Sequence, residues 1–181
     1  MLRITIPRSE GWDPVKEEFV DVEPAVTLDL EHSLVALSKW ESKWNKPFFA
    51  QKPKTDEEVL DYIVCMTVTE NVDPKVYYRL SKENVTKIND YINAPMTATT
   101  FSEDQQGKKN REQITSELIY YWMTALNIPW EAQNWHINRL LTLVRVCNVK
   151  NAPPKKMSRN ELIARQRAIN EANKKRFNTK G

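Results

Sequence analysis

The side chains of this chain that could do chemistry are few and scattered. Two histidines, His32 and His136, two cysteines, Cys65 and Cys147, and the acid Glu31 are where a base, a nucleophile or a metal ligand would be sought. A nucleophile needs a base within hydrogen-bond reach, and a metal site needs several His, Cys or acidic ligands close together. Glu31 and His32 are adjacent, and adjacent residues on a helix do not face one another. His136 has Arg139 nearby and His32 as the one other histidine, too few ligands for a metal. Thr55, Ser81 and Ser158 read as helix caps, and the other hydroxyls as loop polarity. No catalytic residue, metal or cofactor is therefore assigned, and a non-enzymatic protein is expected. Only three glycines occur, Gly11, Gly107 and Gly181, which excludes the Gly-rich phosphate loops of nucleotide-binding proteins.

Charge gives a different signal. The chain has a net charge of +3, but residues 155–181 hold nine Lys/Arg against Glu161 and Glu171, a net of +7, and the rest holds 18 basic and 22 acidic residues, a net of −4. Such asymmetry marks an interaction tail. Nine cations could neutralise phosphates in a salt-dependent way, yet Phe177 is the tail's one aromatic, so there is no stacking platform for bases. A thin apolar stripe on a basic helix suits docking into an acidic groove on another protein. The mildly acidic body of a second copy would also qualify.

Stepping along the chain, Leu2, Ile4 and Ile6 alternate with polar residues as a short strand, Ser9-Glu10-Gly11 reads as a turn, and Phe19–Val22 and Val26–Leu30 offer two more strands. Leu34, Leu37, Trp40 and Trp44 fall on one face of a helix. Trp40 and Trp44 read as a core seam, with an exposed aromatic docking surface as the alternative. Thr55 and Glu58 form a capping box for a helix burying Val59, Leu60, Ile63 and Met66. Asp73-Pro74 starts a helix to Leu80, and Ser81 caps another that turns Val85, Ile88 and Ile92 inward. Residues 96–110 read as a long loop and hinge. The densest apolar content lies at 110–148, two helices around Ile128-Pro129. The first carries Ile114, Leu118, Tyr121 or Trp122 and Leu126, with Ile119 and Met123 widening the stripe; the second carries Trp130, Ile137, Leu140, Leu141, Val144 and Cys147. This hairpin is expected to be the piece the rest is built around.

Beyond it, residues 151–156 form a Pro-Pro linker, and Ser158 with Glu161 a second capping box for a basic helix. Cys65 and Cys147 are expected as reduced core thiols, with a disulfide as the alternative. No apolar run approaches the roughly 18 residues of a membrane span, and the N-terminus turns polar too early for a secretion signal. The expected architecture is α+β and predominantly α-helical. Residues 1–30 form a small antiparallel sheet, 31–150 a helical core, and 151–181 the linker and a projecting basic helix.

At LEHSLVALSKWESKWNKPFF, DYIVCMTV, INDYINAPMTATTF, REQITSELIYYWMTALNIPWE and WHINRLLTLVRVCNVKNAPPKKMSRNELIARQRAIN the chain resembles a family of small proteins from the tail-gene region of tailed bacteriophages, often described as tail assembly chaperones. The resemblance covers residues 28–181. It implies a non-enzymatic role in virion assembly: binding the tape-measure protein, keeping its long helices soluble and recruiting tail tube subunits. The partners implied are those tail proteins or further copies of the chain, in the host cell cytoplasm, with no membrane and no cofactor. The candidate partner-binding residues are Lys155, Lys156, Arg159, Leu162, Ile163, Arg165, Arg167, Ile169, Lys174, Lys175 and Arg176, with Trp40 and Trp44 as a second surface. Two other readings compete: a structural tail or connector subunit retained in the virion, and a small basic nucleic-acid-binding protein.

Overall fold

A computed structural model of the chain describes residues 1–13, 15, 17–101, 113–153 and 159–177. Side-chain alternation builds its first ribbon. Strand β1 (Leu2–Ile6) pairs antiparallel with β4 (Val26–Leu30), setting Leu2, Ile4 and Ile6 opposite Leu30, Leu28 and Val26. The period of two sends Arg3 and Thr5 to the other face. There Arg3 makes a bidentate pair with Asp29, at 2.7 and 2.9 Å. Between them, β2 (Ser9–Asp13) and β3 (Glu18–Glu23) form a second two-stranded ribbon with a bulge at Ser9/Glu10. The expected turn at Ser9-Glu10-Gly11 is therefore strand, and the described residues form four strands where the alternation suggested two or three. Arg79 braces the junction of the ribbons, donating to the carbonyls of Pro7 and Pro24 and pairing with Glu23.

Helix α1 (Leu34–Trp44) opens at Ser33, whose hydroxyl accepts from the Ala36 amide, and closes at Asn45 in the left-handed conformation, which Asn tolerates better than most residues. Helix α2 (Asp56–Met66) carries the expected capping box: Thr55 accepts from the Glu58 amide while Glu58 accepts from the Thr55 amide. After α2 the chain lies along β4, with Glu31 donating to Met66 and Val68 to Asp29 through the backbone. Residues Pro74–Arg79 form a 3₁₀ helix, and α3 (Lys82–Asn93) follows with Ser81 as its cap. Helix α4 (Ser116–Ala125), a 3₁₀ turn (Trp130–Asn134) and α5 (Ile137–Asn151) make up the apolar region around Pro129. Helix α6 is Arg159–Phe177. The expected hinge at 96–110 and the second capping box at Ser158 fall largely or wholly outside the described residues.

The result is α+β and predominantly helical. None of its helices, among the described residues, is long and apolar enough to cross a membrane. Two compact units divide the chain, Met1–Cys147 and Asn148–Gly181. Residues 1–30 belong with the helices of the first unit.

Within the first unit, the buried side chains form two clusters. One joins the inner face of β1/β4 to Ala36 and Trp40 of α1, Tyr62, Ile63 and Met66 of α2, and Ile88 of α3. The other joins Leu34 and Leu37 of α1 to Ile119 and Met123 of α4 and Ile137, Leu140 and Val144 of α5. Among the described residues, helix α1 is the one helix that supplies both, so it, rather than the 110–148 hairpin, is the element around which the unit is built. In α2 Ile63 and Met66 are buried as expected, but Val59 faces solvent while Glu58 and Tyr62 are buried; in α4 the buried stripe centres on Ile119 and Met123, expected at its margin, and Tyr121 faces solvent; in α5 Ile137, Leu140 and Val144 are buried as expected, while Trp130 before it is exposed. Cys65 and Cys147 are half-buried free thiols rather than core residues.

Candidate binding surfaces

Most of the basic residues singled out in the sequence lie on α6; Lys155 and Lys156 fall outside the described residues. At 3.6 residues per turn, Leu162, Ile163, Gln166, Ile169, Asn170, Asn173 and Phe177 share one face of this helix. Arg167 and Lys174 flank that face on one side, and Arg165 and Arg176 on the other. Ile163, Gln166, Asn170, Asn173 and Phe177 recur at alternating spacings of three and four, the seam pattern of a helix that packs on another helix. The large apolar side chains are open to solvent: Leu162 53%, Ile163 42%, Ile169 50% and Phe177 64% exposed. Leu162, Ile163, Gln166, Arg167 and Asn170 outline a shallow hollow of about 240 Å³. Lys174, Lys175 and Arg176 occupy the last turn, where cations complement the helix dipole.

The second candidate surface is not there. Trp40 is 1% exposed, with its indole Nε1 donating to the Glu58 carbonyl at 2.8 Å. Trp44 is half-buried and donates to Asp61 at 2.9 Å. The pair is a core seam, because two large rings one turn apart on α1 gain more from burial against α2 than from water.

Trp40 does form one wall of an open cleft of about 630 Å³. Its lining is Trp40 of α1, the segment Lys46–Phe48 and Ala50–Thr55 that joins α1 to α2, Glu58 of α2, and Gln113. Lys46 pairs with Glu58, and that ion pair, with the Thr55 amide, holds the Glu58 carboxyl below its ordinary range. Lys54 lies over the Phe48 ring at 4.1 Å and donates to the Phe48 carbonyl at 2.8 Å. Desolvation by burial lowers its proton affinity from the usual lysine value.

The two histidines, far apart in sequence, meet. Their rings stand edge to face with centroids 5.0 Å apart, and His32 and His136 are 2% and 4% exposed. His32 Nδ1 and the Tyr62 hydroxyl share a short hydrogen bond. The Asn138 amide donates to His136 Nδ1, so His136 Nε2 carries the proton that it donates to the Tyr91 carbonyl at 2.9 Å. The Tyr91 hydroxyl in turn donates to Glu31, whose other oxygen holds the Met1 ammonium. Desolvation, with the neighbouring His136 second, pushes His32 down to about 3, and desolvation also lowers His136. Both rings are neutral hydrogen-bonded core groups that no substrate can reach. Among the described residues, no three His, Cys or acidic side chains are grouped to hold a metal ion.

The sequence pattern singles out neither Glu41 nor Lys54, and shows Glu58 only as a cap. The basic and aromatic run from Lys46 to Lys54 was the signal available for the cleft. Compared with known proteins, the chain matches no family model, no curated relative and no solved structure.

Proposed function

We propose that this chain is a non-enzymatic binding protein of phage tail assembly, with α6 as the helix that engages an acidic, helical partner such as a tape-measure or tail tube protein. The observation that carries this reading is the exposed face of α6: apolar and amide side chains at helix-packing spacing, bordered on both sides by cations. Most helical stability in proteins comes from packing of a face rather than from propensity, so a partner helix that covers Ile163, Ile169 and Phe177 and sets acids against the flanking arginines stabilises both. The phage assignment itself rests on the sequence resemblance.

Mass spectrometry of purified virions against infected-cell lysate tests the role. A chaperone is found in lysate and is missing from particles, and deletion of residues 155–181 removes its tail-protein partner from pull-downs. Stoichiometric presence in particles replaces the chaperone by a structural tail or connector subunit.

A further inference from the structure

The cleft beside α1 lies within the unit Met1–Cys147 and does not depend on the reading of α6. Its size, about 630 Å³, lies within the range of small-ligand sites, which pair apolar walls with a few placed polar groups. The walls are Trp40, Pro47, Phe48 and Pro53. Three lysines, Lys46, Lys52 and Lys54, line it against one acid, Glu58, and that acid already accepts from Lys46 and from the Thr55 amide. The cleft therefore carries an excess of positive charge.

Lys54 is held in place: its amine lies over the Phe48 ring, donates to the Phe48 carbonyl, and lies 5.6 Å from the Trp40 ring as well. A pre-placed amine loses little freedom when an anion arrives, and the arriving charge offsets the desolvation that lowers its proton affinity. Among the described residues the lining holds no arginine fork, the group best matched to a phosphate.

We propose that this cleft is a binding site for a carboxylate carrying a ring-sized apolar body, the ring lying against Pro47, Phe48 and Pro53 next to the buried Trp40 and the carboxylate reaching Lys54 and Lys52. The carboxylate can belong to a free small molecule or to an acidic residue beside an aromatic one in another chain, and the test separates the two. The full-length chain is titrated, under NMR observation, with phenylacetate, with phenylacetamide, and with a short acetylated peptide holding a glutamate next to a phenylalanine.

Phenylacetate or the peptide is expected to shift the Trp40 indole N–H and the amides of Gln51 and Thr55, whereas phenylacetamide leaves them in place. Tighter binding of phenylacetate assigns a small-molecule ligand, and tighter binding of the peptide assigns a partner chain. Lys54→Gln is expected to weaken the preferred ligand about tenfold, the loss of one charge-assisted hydrogen bond. Lys52→Gln, at an exposed position where folding is not at stake, is expected to weaken it about threefold. The proposal is overturned by silence of the Trp40 resonance with both carboxylates, by equal binding of phenylacetamide, or by unchanged affinity in the Lys52→Gln chain.

Discussion

Glu41 shows how a charged side chain earns a place in the core. It continues the α1 stripe of Leu34 and Leu37, four residues on, and so points at α4 rather than at water. It is 7% exposed. One carboxylate oxygen accepts the Phe48 amide and the other the Ser116 amide, both at 2.7 Å. Ser116 begins α4, so Glu41 satisfies one of that helix's unpaired donors and sits at the positive end of its dipole. Glu41→Leu leaves two amides without an acceptor, at about 1–3 kcal/mol each, and a total loss of about 3 kcal/mol is expected in urea unfolding. Glu41→Gln keeps one good acceptor and is expected to lose about half as much. A Leu variant as stable as the parent would show that the carboxylate bridge contributes nothing. The residue was illegible in sequence because its partner is 75 positions away, and a lone acid on a helix reads as a solvated one. Glu58 was legible as a cap because Thr55 is three residues from it; that it also buries itself under Lys46 was not.

At the scale of elements, local chemistry was read well and packing phase was not. Strands β1 and β4 follow from strict alternation, and the starts of α2 and α3 follow from the caps Thr55 and Ser81 and their immediate neighbours, all within four residues. The face of α4 centres about one residue from where the pattern puts it, and Val59 of α2 turns outward, because both helices carry apolar side chains on more than one side, and only the neighbouring elements decide which go in. The same ambiguity hid the role of α1. Its apolar residues form two stripes, Ala36 and Trp40 toward the sheet and Leu34 and Leu37 toward α4 and α5, whereas the sequence suggested one. Leu37→Ala removes a fully buried side chain from the second cluster and is expected to cost about 2–5 kcal/mol. Because α1 serves both clusters, tryptophan fluorescence and far-UV circular dichroism should report one coincident transition at the lower midpoint. Two separated transitions would mean that the clusters unfold independently and that α1 does not couple them.

At the scale of the molecule, the acidic body and the basic tail were visible in composition, whereas the meeting of His32 and His136 could come only from the fold that brings the start of α1 against the start of α5. That meeting makes stability depend on pH. His32 faces His136 and Tyr62; His136 faces Tyr91 of α3, Glu31 and the chain's amino terminus. In the unfolded chain both imidazoles titrate near 6.5, whereas folding lowers both, His32 to about 3. The unfolded state therefore binds more protons between those values, and stability, fully present above about pH 6.5, falls as pH drops. His32 alone contributes a slope of about 1.4 kcal/mol per pH unit there, or about 2 kcal/mol between pH 7 and pH 5, and His136 adds in the same direction. The carboxylates held low, Asp29, Glu58, Glu83 and Glu117, lose their contribution only below about pH 4.5, so the window from pH 7 to pH 5 isolates the histidines. Urea midpoints measured across it should fall steadily for the parent chain. His32→Phe should flatten the slope while lowering the absolute stability at pH 7, because the ring stays packed but the hydrogen bond to Tyr62 is gone. A slope in His32→Phe equal to the parent's would place the proton uptake elsewhere in the chain and leave the histidine pair without a part in acid stability.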